Sequence, residues 1–201
     1  MDKEQKSMNT TTENMDNLSG TSRLRTSDIA LIALFAAIMA VCSWIMIPAT
    51  VPFTMQTFGV FLAVGLLGGK RGTISIIVYL LLGAAGLPVF SGFTGGIGHI
   101  LGPTGGYMVG FIFTALIMWL FERFFGKGTR SLAISMALGL VVCYAFGTAW
   151  FISVYTKNTG EIGLATALSW CVIPYIIPDV IKIVLALMLT KRLRPFVDRQ
   201  G

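Results

Sequence analysis

Asp179 and Lys182 stand in the run IIPDVIKIVLA, inside an otherwise continuous apolar stretch from about Ala165 to Leu189. Three residues apart on a helix, they take adjoining positions of one face. An ionisable side chain at bilayer depth costs at least about 2.5 to 3.5 kcal/mol, so such residues face a cavity or a partner. Two uses are open. The pair can neutralise itself and fix helix packing, which calls for further hydrogen bonds to offset desolvation. Alternatively it binds a small polar acid, the carboxylate accepting from the ligand's donors and the ammonium attracting its anionic end. A proton relay would use several acidic or His sites in series, whereas Asp179 stands alone this deep in the apolar runs.

Two other segments carry polar groups toward such a site. The run IPATVPFTMQTFGV holds Pro48 and Pro52 with polar Thr54, Gln56 and Thr57, and no charge. Non-helical backbone at membrane depth survives where protein buries it or where it lines a cavity, so this loop is expected to fold over a binding site. Gln56 offers two donors and an acceptor; it serves either a ligand or the cap of the following helix. From Gly86 to Tyr107 the chain packs in eight Gly, two Pro, Phe90, Phe93 and its single His, His99. Such glycine density lets backbone approach backbone or ligand closely, and the segment is expected to pack inward as a lid. His99 would add a donor there, or face solvent. Tyr144, Trp150, Trp170 and Tyr175 are read as interface belt or core residues rather than ligand walls.

The elements that must position these groups follow from composition. The 201-residue chain is 55% hydrophobic with a mean hydropathy of +0.79, too apolar for a soluble domain. It reads as an all-α integral membrane protein. About 20 helical residues cross a ~30 Å hydrocarbon core, and six apolar runs qualify as spans, near 29–47, 52–69, 72–90, 105–122, 131–155 and 164–190. Basic residues of short loops are retained on the cytoplasmic side. All of the 15 except Lys157 and Lys182 fall on one side of this arrangement, which predicts cytoplasmic N- and C-termini, an external Gly-rich lid and a multi-pass protein of the cell membrane. Residues 1–25 read as a disordered polar tail and 26–201 as the membrane domain.

Several function classes are excluded or disfavoured. The net charge of +6 is scattered over short cytoplasmic segments, so topology and membrane lipid account for it and nucleic acid is not expected as a partner. The first apolar run is too long for a signal peptide. Cys42, Cys143 and Cys171 lack metal or redox spacing, so no metal and no cofactor are expected. Gly96, Gly98 and Gly102 miss the dinucleotide fingerprint by one residue, and Lys70 is followed by Arg71 where a Walker motif needs Ser or Thr. A membrane enzyme would need a nucleophile, base or metal cluster that is not evident. On the first span, Ala33 and Ala37, and one turn on Ala36 and Ala40, have the small-xxx-small spacing of close helix contacts. These serve either packing within the chain or docking of another membrane subunit.

The runs ALFAAIMAV (33–41), IPATVPFTMQTFGV (47–60), LLGAAGLPVFSGFTGG (81–96), GPTGGY (102–107) and PDVIK (178–182) together resemble the BioY family, the biotin-specific substrate-binding component of energy-coupling factor transporters. The resemblance covers residues 28 to 193. It implies a six-helix subunit that captures biotin from outside, with Asp179 accepting from the ureido N–H groups and Lys182 serving the polar or carboxylate oxygens. It further implies that Phe53, Thr54 and Gln56, the lid positions Phe90, Gly95 and Gly96, and Tyr107 and His99 close over the vitamin. Ala33 and Ala37 match the family's contact with the transmembrane coupling (T) subunit, and two ATPase subunits are implied beneath it. A related subunit for another small vitamin would share this fold.

Overall fold

The structure, a computed structural model, describes residues 25–49 and 51–197. The polar tail and its bases Lys3, Lys6 and Arg23, together with Arg199, lie outside the described residues. Eight α-helices are present among the described residues: α1 Thr26–Trp44, α2 Gln56–Leu67, α3 Gly69–Ala84, α4 Ile97–Leu101, α5 Gly105–Phe125, α6 Thr129–Asn158, α7 Leu164–Cys171 and α8 Ile173–Val197. Two short strands, β1 Met46–Ile47 and β2 Phe53–Thr54, pair antiparallel between α1 and α2, with Met46 opposite Thr54.

Among the described residues, four segments are long and apolar enough to cross a membrane: α1, α5, α6 and the combined α7–α8. Two expected spans come out shorter. Residues 52–69 supply only the 12-residue α2, because the loop with Pro52 stays extended up to Met55. Residues 72–90 contribute to a 16-residue α3 that stops at Ala84, just before Gly86 turns the chain at φ +102° and Pro88 withholds an N–H. The last expected span is broken at Val172, and Pro174 then sits in the first turn of α8, where its missing N–H leaves no helical bond unmade.

Small residues allow the helices to approach closely. A three-residue turn, 126–128, joins α5 to α6. A Cβ on Gly147 would strike the Tyr107 ring, and Thr114 donates to Gly139 O at 2.9 Å across the same seam. Gly65 on α2 faces Thr190 on α8, and Gly72 on α3 lies against Val64 on α2. Gly68 takes φ +80° between α2 and α3, a conformation natural to glycine, and Glu122 from α5 accepts from the Gly69 N–H there. Around these contacts Met39, Phe61, Ile76, Tyr79, Met118 and Met136 form the buried core. Large apolar side chains such as Leu34, Leu120, Ile177 and Val184 remain exposed, as a lipid-facing belt requires.

The four alanines of α1 separate into two faces. Ala36 and Ala40 are buried at 3% and 6% exposure, whereas Ala33 and Ala37 are exposed. Of the two uses open to these alanines, Ala36 and Ala40 take packing within the chain, so they are corrected out of the docking face. They belong to the chain's own core; at about 100° per residue the two pairs lie on adjoining faces roughly 60° apart, and the boundary between core and exterior runs between them.

Candidate functional site

The PDVIK run lies in the second and third turns of α8 and turns both charges inward: Asp179 is 3% exposed and Lys182 4%. Lys182 Nζ donates to Asp179 Oδ1 at 2.7 Å, to Thr57 Oγ1 at 3.0 Å and to the backbone oxygen of Thr54 at 2.6 Å. All three ammonium protons are thereby used. Asp179 Oδ1 also accepts from Thr57 Oγ1 at 3.1 Å, and Tyr144 donates its hydroxyl to Oδ2. The Phe53 ring lies 4.1 Å from Lys182 Nζ, a cation–π contact, and stacks on Tyr175. The pair thus meets the condition for a buried ion pair to persist, since hydrogen bonds from three other elements offset its desolvation.

Beside the pair is a cavity of about 70 Å³. Thr54 reaches it from the loop before α2, Gln56 and Thr57 from the first turn of α2, Ser91 and His99 from the lid, and Tyr107, Tyr144 and Tyr175 from α5, α6 and α8. Val51, Met108 and Phe111 provide apolar wall. Polar groups converging on an apolar hollow are the composition of a small-molecule site, although such pockets usually measure roughly 300 to 1,000 Å³.

The two covering segments are tied together. Gln56 does not cap α2; its Nε2 donates to Tyr79 OH at 2.6 Å and its Oε1 accepts from Thr54 Oγ1 at 3.0 Å. Tyr79 OH passes the connection to Val89 O at 3.1 Å, where Ser43 also donates at 2.6 Å. Trp44 Nε1 to Pro88 O and Trp150 Nε1 to Gly102 O, both 3.0 Å, pin the two ends of the lid. Tyr175 donates to Val51 O and holds the proline loop down.

Of the expected site residues, Asp179, Lys182, Gln56, Thr54, Tyr107 and His99 meet at the cavity. The others do not reach its wall. Phe53 lies under the ammonium. Phe90 is fully buried beneath the lid, with its ring over Gly83, edge-on to Tyr79 and stacked on His99. Gly95 and Gly96 are lid backbone: a side chain on Gly95 would strike Leu87 O, and Gly96 needs φ +95°. Thr94 Oγ1 meets His99 Nδ1 at 3.1 Å, and burial lowers the imidazole pKa below its ordinary value.

Three wall residues depart from the sequence reading. Tyr144 and Tyr175, assigned to belt or core, line the cavity, and Tyr144 bonds the buried carboxylate. Thr57 belonged to the polar run but not to the expected site, yet it touches both charges. Its place one residue after Gln56 in a charge-free polar run was the available signal. For Tyr144 there was none, because nothing local distinguishes an inward-facing tyrosine on an apolar helix.

Comparisons with known proteins accord with this geometry. The probable biotin transporter BioY of Pyrococcus horikoshii is 38% identical over 172 residues, covering 85% of this chain and 98% of that protein. The biotin transporter BioY of Thermotoga maritima is 40% identical over 162 residues, covering 80% and 92%. A crystal structure of the S-component for biotin from an ECF-type ABC transporter superposes with a TM-score of 0.77 at 29% identity, covering 88% of this chain and 95% of that one. Residues 10–199 match the BioY family. A buried Asp–Lys pair beneath a tethered loop and lid, in a chain that matches at almost full length, therefore places this multi-pass membrane protein in the BioY family.

Proposed function

We propose that the chain is the biotin-binding S component of an energy-coupling factor transporter, a transport subunit rather than an enzyme. The observation that carries this is the buried Asp179–Lys182 pair at the cavity, with Asp179 still able to accept. A carboxylate presents about four acceptor sites, and Lys182, Thr57 and Tyr144 occupy three. A ureido N–H takes the remaining one. Lys182 turns from Thr54 O toward the ligand's polar or carboxylate oxygens, with Gln56, Tyr107 and His99 as further partners.

The 70 Å³ cavity must widen to admit a vitamin. The movement that opens it is of residues 51–55, which are held by the short strand pair, the Tyr175, Lys182 and Gln56 contacts and the Met55 N–H facing Cys42 O and Ile45 O. Incoming ligand oxygens replace the Thr54 carbonyl at the ammonium, so binding and release of the loop are coupled.

In this reading α2 and α3, with the loop between α1 and α2, complete a six-span subunit with both termini cytoplasmic. The arrangement agrees with the sorting of basic residues. The site then opens to the outside, and the exposed Ala33 and Ala37 face a transmembrane coupling subunit driven by two ATPases. Equilibrium binding of labelled biotin to the purified protein in detergent tests the proposal. Tight binding that is lost in Asp179→Asn, Lys182→Ala supports it; no binding at micromolar biotin by folded protein overturns it and directs attention to other small vitamins.

A further inference from the structure

Beyond the Asp179–Lys182 site, α8 ends in a second cluster of charge. At 1.5 Å per residue, Lys191 and Arg194 lie roughly 14 to 18 Å further along the helix than Lys182. There, between the start of α6 and the last turns of α8, is a cavity of about 350 Å³. Lys127, Lys191 and Arg194 converge on it, with Thr129 and Thr190, while Leu132 and Leu187 provide apolar wall.

Three features of this cavity favour an anion. Arg194 is fixed on the wall by donating Nη1 to Lys127 O at 3.0 Å, which leaves most of its five N–H donors for another acceptor. Lys127 shares its charge with Glu122 at 3.4 Å, whereas no carboxylate among the described residues pairs with Lys191 or Arg194. The 30-residue helix α6 begins here with Gly128 at its N-cap and no side chain bonding its first N–H groups, so its positive end is available. Thr190 also lines the cavity, while its hydroxyl is turned to Gly65 on α2.

The apolar wall identifies the kind of anion. Leu132 and Leu187 line the cavity, a surface for an acyl chain rather than for a soluble ion. We propose that this cavity is a binding site for one anionic phospholipid, its phosphate held by Lys191, Arg194 and the start of α6 and its headgroup hydroxyls by Thr129. Basic pockets between membrane helices are suited to such headgroups. A choline headgroup would bring its own cation against Lys191 and Arg194 and is disfavoured.

The test is native mass spectrometry of the purified full chain in detergent, titrated with phosphatidylglycerol or phosphatidylcholine of the same acyl chains. One phosphatidylglycerol is expected to be retained with at least tenfold preference. Lys191→Gln, Arg194→Gln lowers that retention at least tenfold. Arg130→Gln, Arg192→Gln, which removes the same charge at the same end but not from the cavity wall, preserves it. Equal retention of both lipids, equal loss in both double variants, or displacement of the lipid by millimolar inorganic phosphate overturns the proposal. Thermal unfolding reports whether each variant is folded. If the Lys191, Arg194 variant is not, the lipid preference and phosphate competition of the unmodified protein still decide. None of these readouts depends on biotin.

Discussion

Tyr144 donates its hydroxyl to Asp179 Oδ2, the carboxylate oxygen that Lys182 leaves open. The tyrosine comes from α6 and the aspartate from α8, so the bond spans the helices that wall the cavity. It holds the carboxylate plane while Thr57 and Lys182 load the other oxygen.

Tyr144→Phe removes this donor and keeps the ring. Biotin affinity is expected to fall about tenfold, or 1.4 kcal/mol, with the fold retained. Thr57→Val acts on the other oxygen and is expected to do the same. Isothermal titration on both variants checks this; unchanged affinity in Tyr144→Phe would mean that the carboxylate needs no second anchor.

Breaking the ion pair from one side leaves a buried charge without its partner, a loss of about 3 to 5 kcal/mol in stability. Asp179→Asn and Lys182→Ala should each lower the unfolding midpoint in detergent and each weaken biotin binding at least tenfold. Because the double variant buries no unpaired charge, its midpoint should lie above that predicted by adding the single losses. Strict additivity would show that the two charges are not coupled.

The alanines of α1 predict two separable phenotypes. Ala33→Leu and Ala37→Leu enlarge an exposed face, so biotin binding and thermal stability should stay near normal while cellular uptake with the coupling subunits is lost. Ala36→Leu overpacks the core and should cost about 1 to 3 kcal/mol of stability. Uptake assays beside melting curves distinguish them, and normal uptake in the first two variants would remove the docking role.

His99 introduces a pH dependence into the lid. Burial lowers its pKa in the folded state, so the unfolded or opened lid binds more protons than the closed one. Closed-lid stability is therefore complete above the ordinary His value of about 6.5, and falls as pH drops below it toward the folded value. Hydrogen exchange of lid amides should accelerate from pH 7.5 to pH 5.5 relative to the intrinsic rate, and His99→Gln should flatten that change. An equal acceleration in the variant would assign the effect to another group.

Local sequence was enough to identify Asp179 and Lys182 as a pair on one inward face, because helical spacing and the cost of intramembrane charge leave few alternatives. The cavity-lining role of the loop with Thr54 and Gln56 was legible in the same way, from polar residues and prolines in an apolar chain. Tertiary structure decided which side each apolar helix presents inward. In a membrane helix the lipid-facing and core-facing surfaces are equally apolar, so hydrophobic periodicity does not separate Ala33 and Ala37 from Ala36 and Ala40, or mark Tyr144 as inward. Those rotations are set by close contacts between distant positions, Gly147 against Tyr107 and Gly65 against Thr190. They bring Tyr144, Thr57 and Tyr175 to a charge pair whose own position was already fixed by its neighbours in sequence.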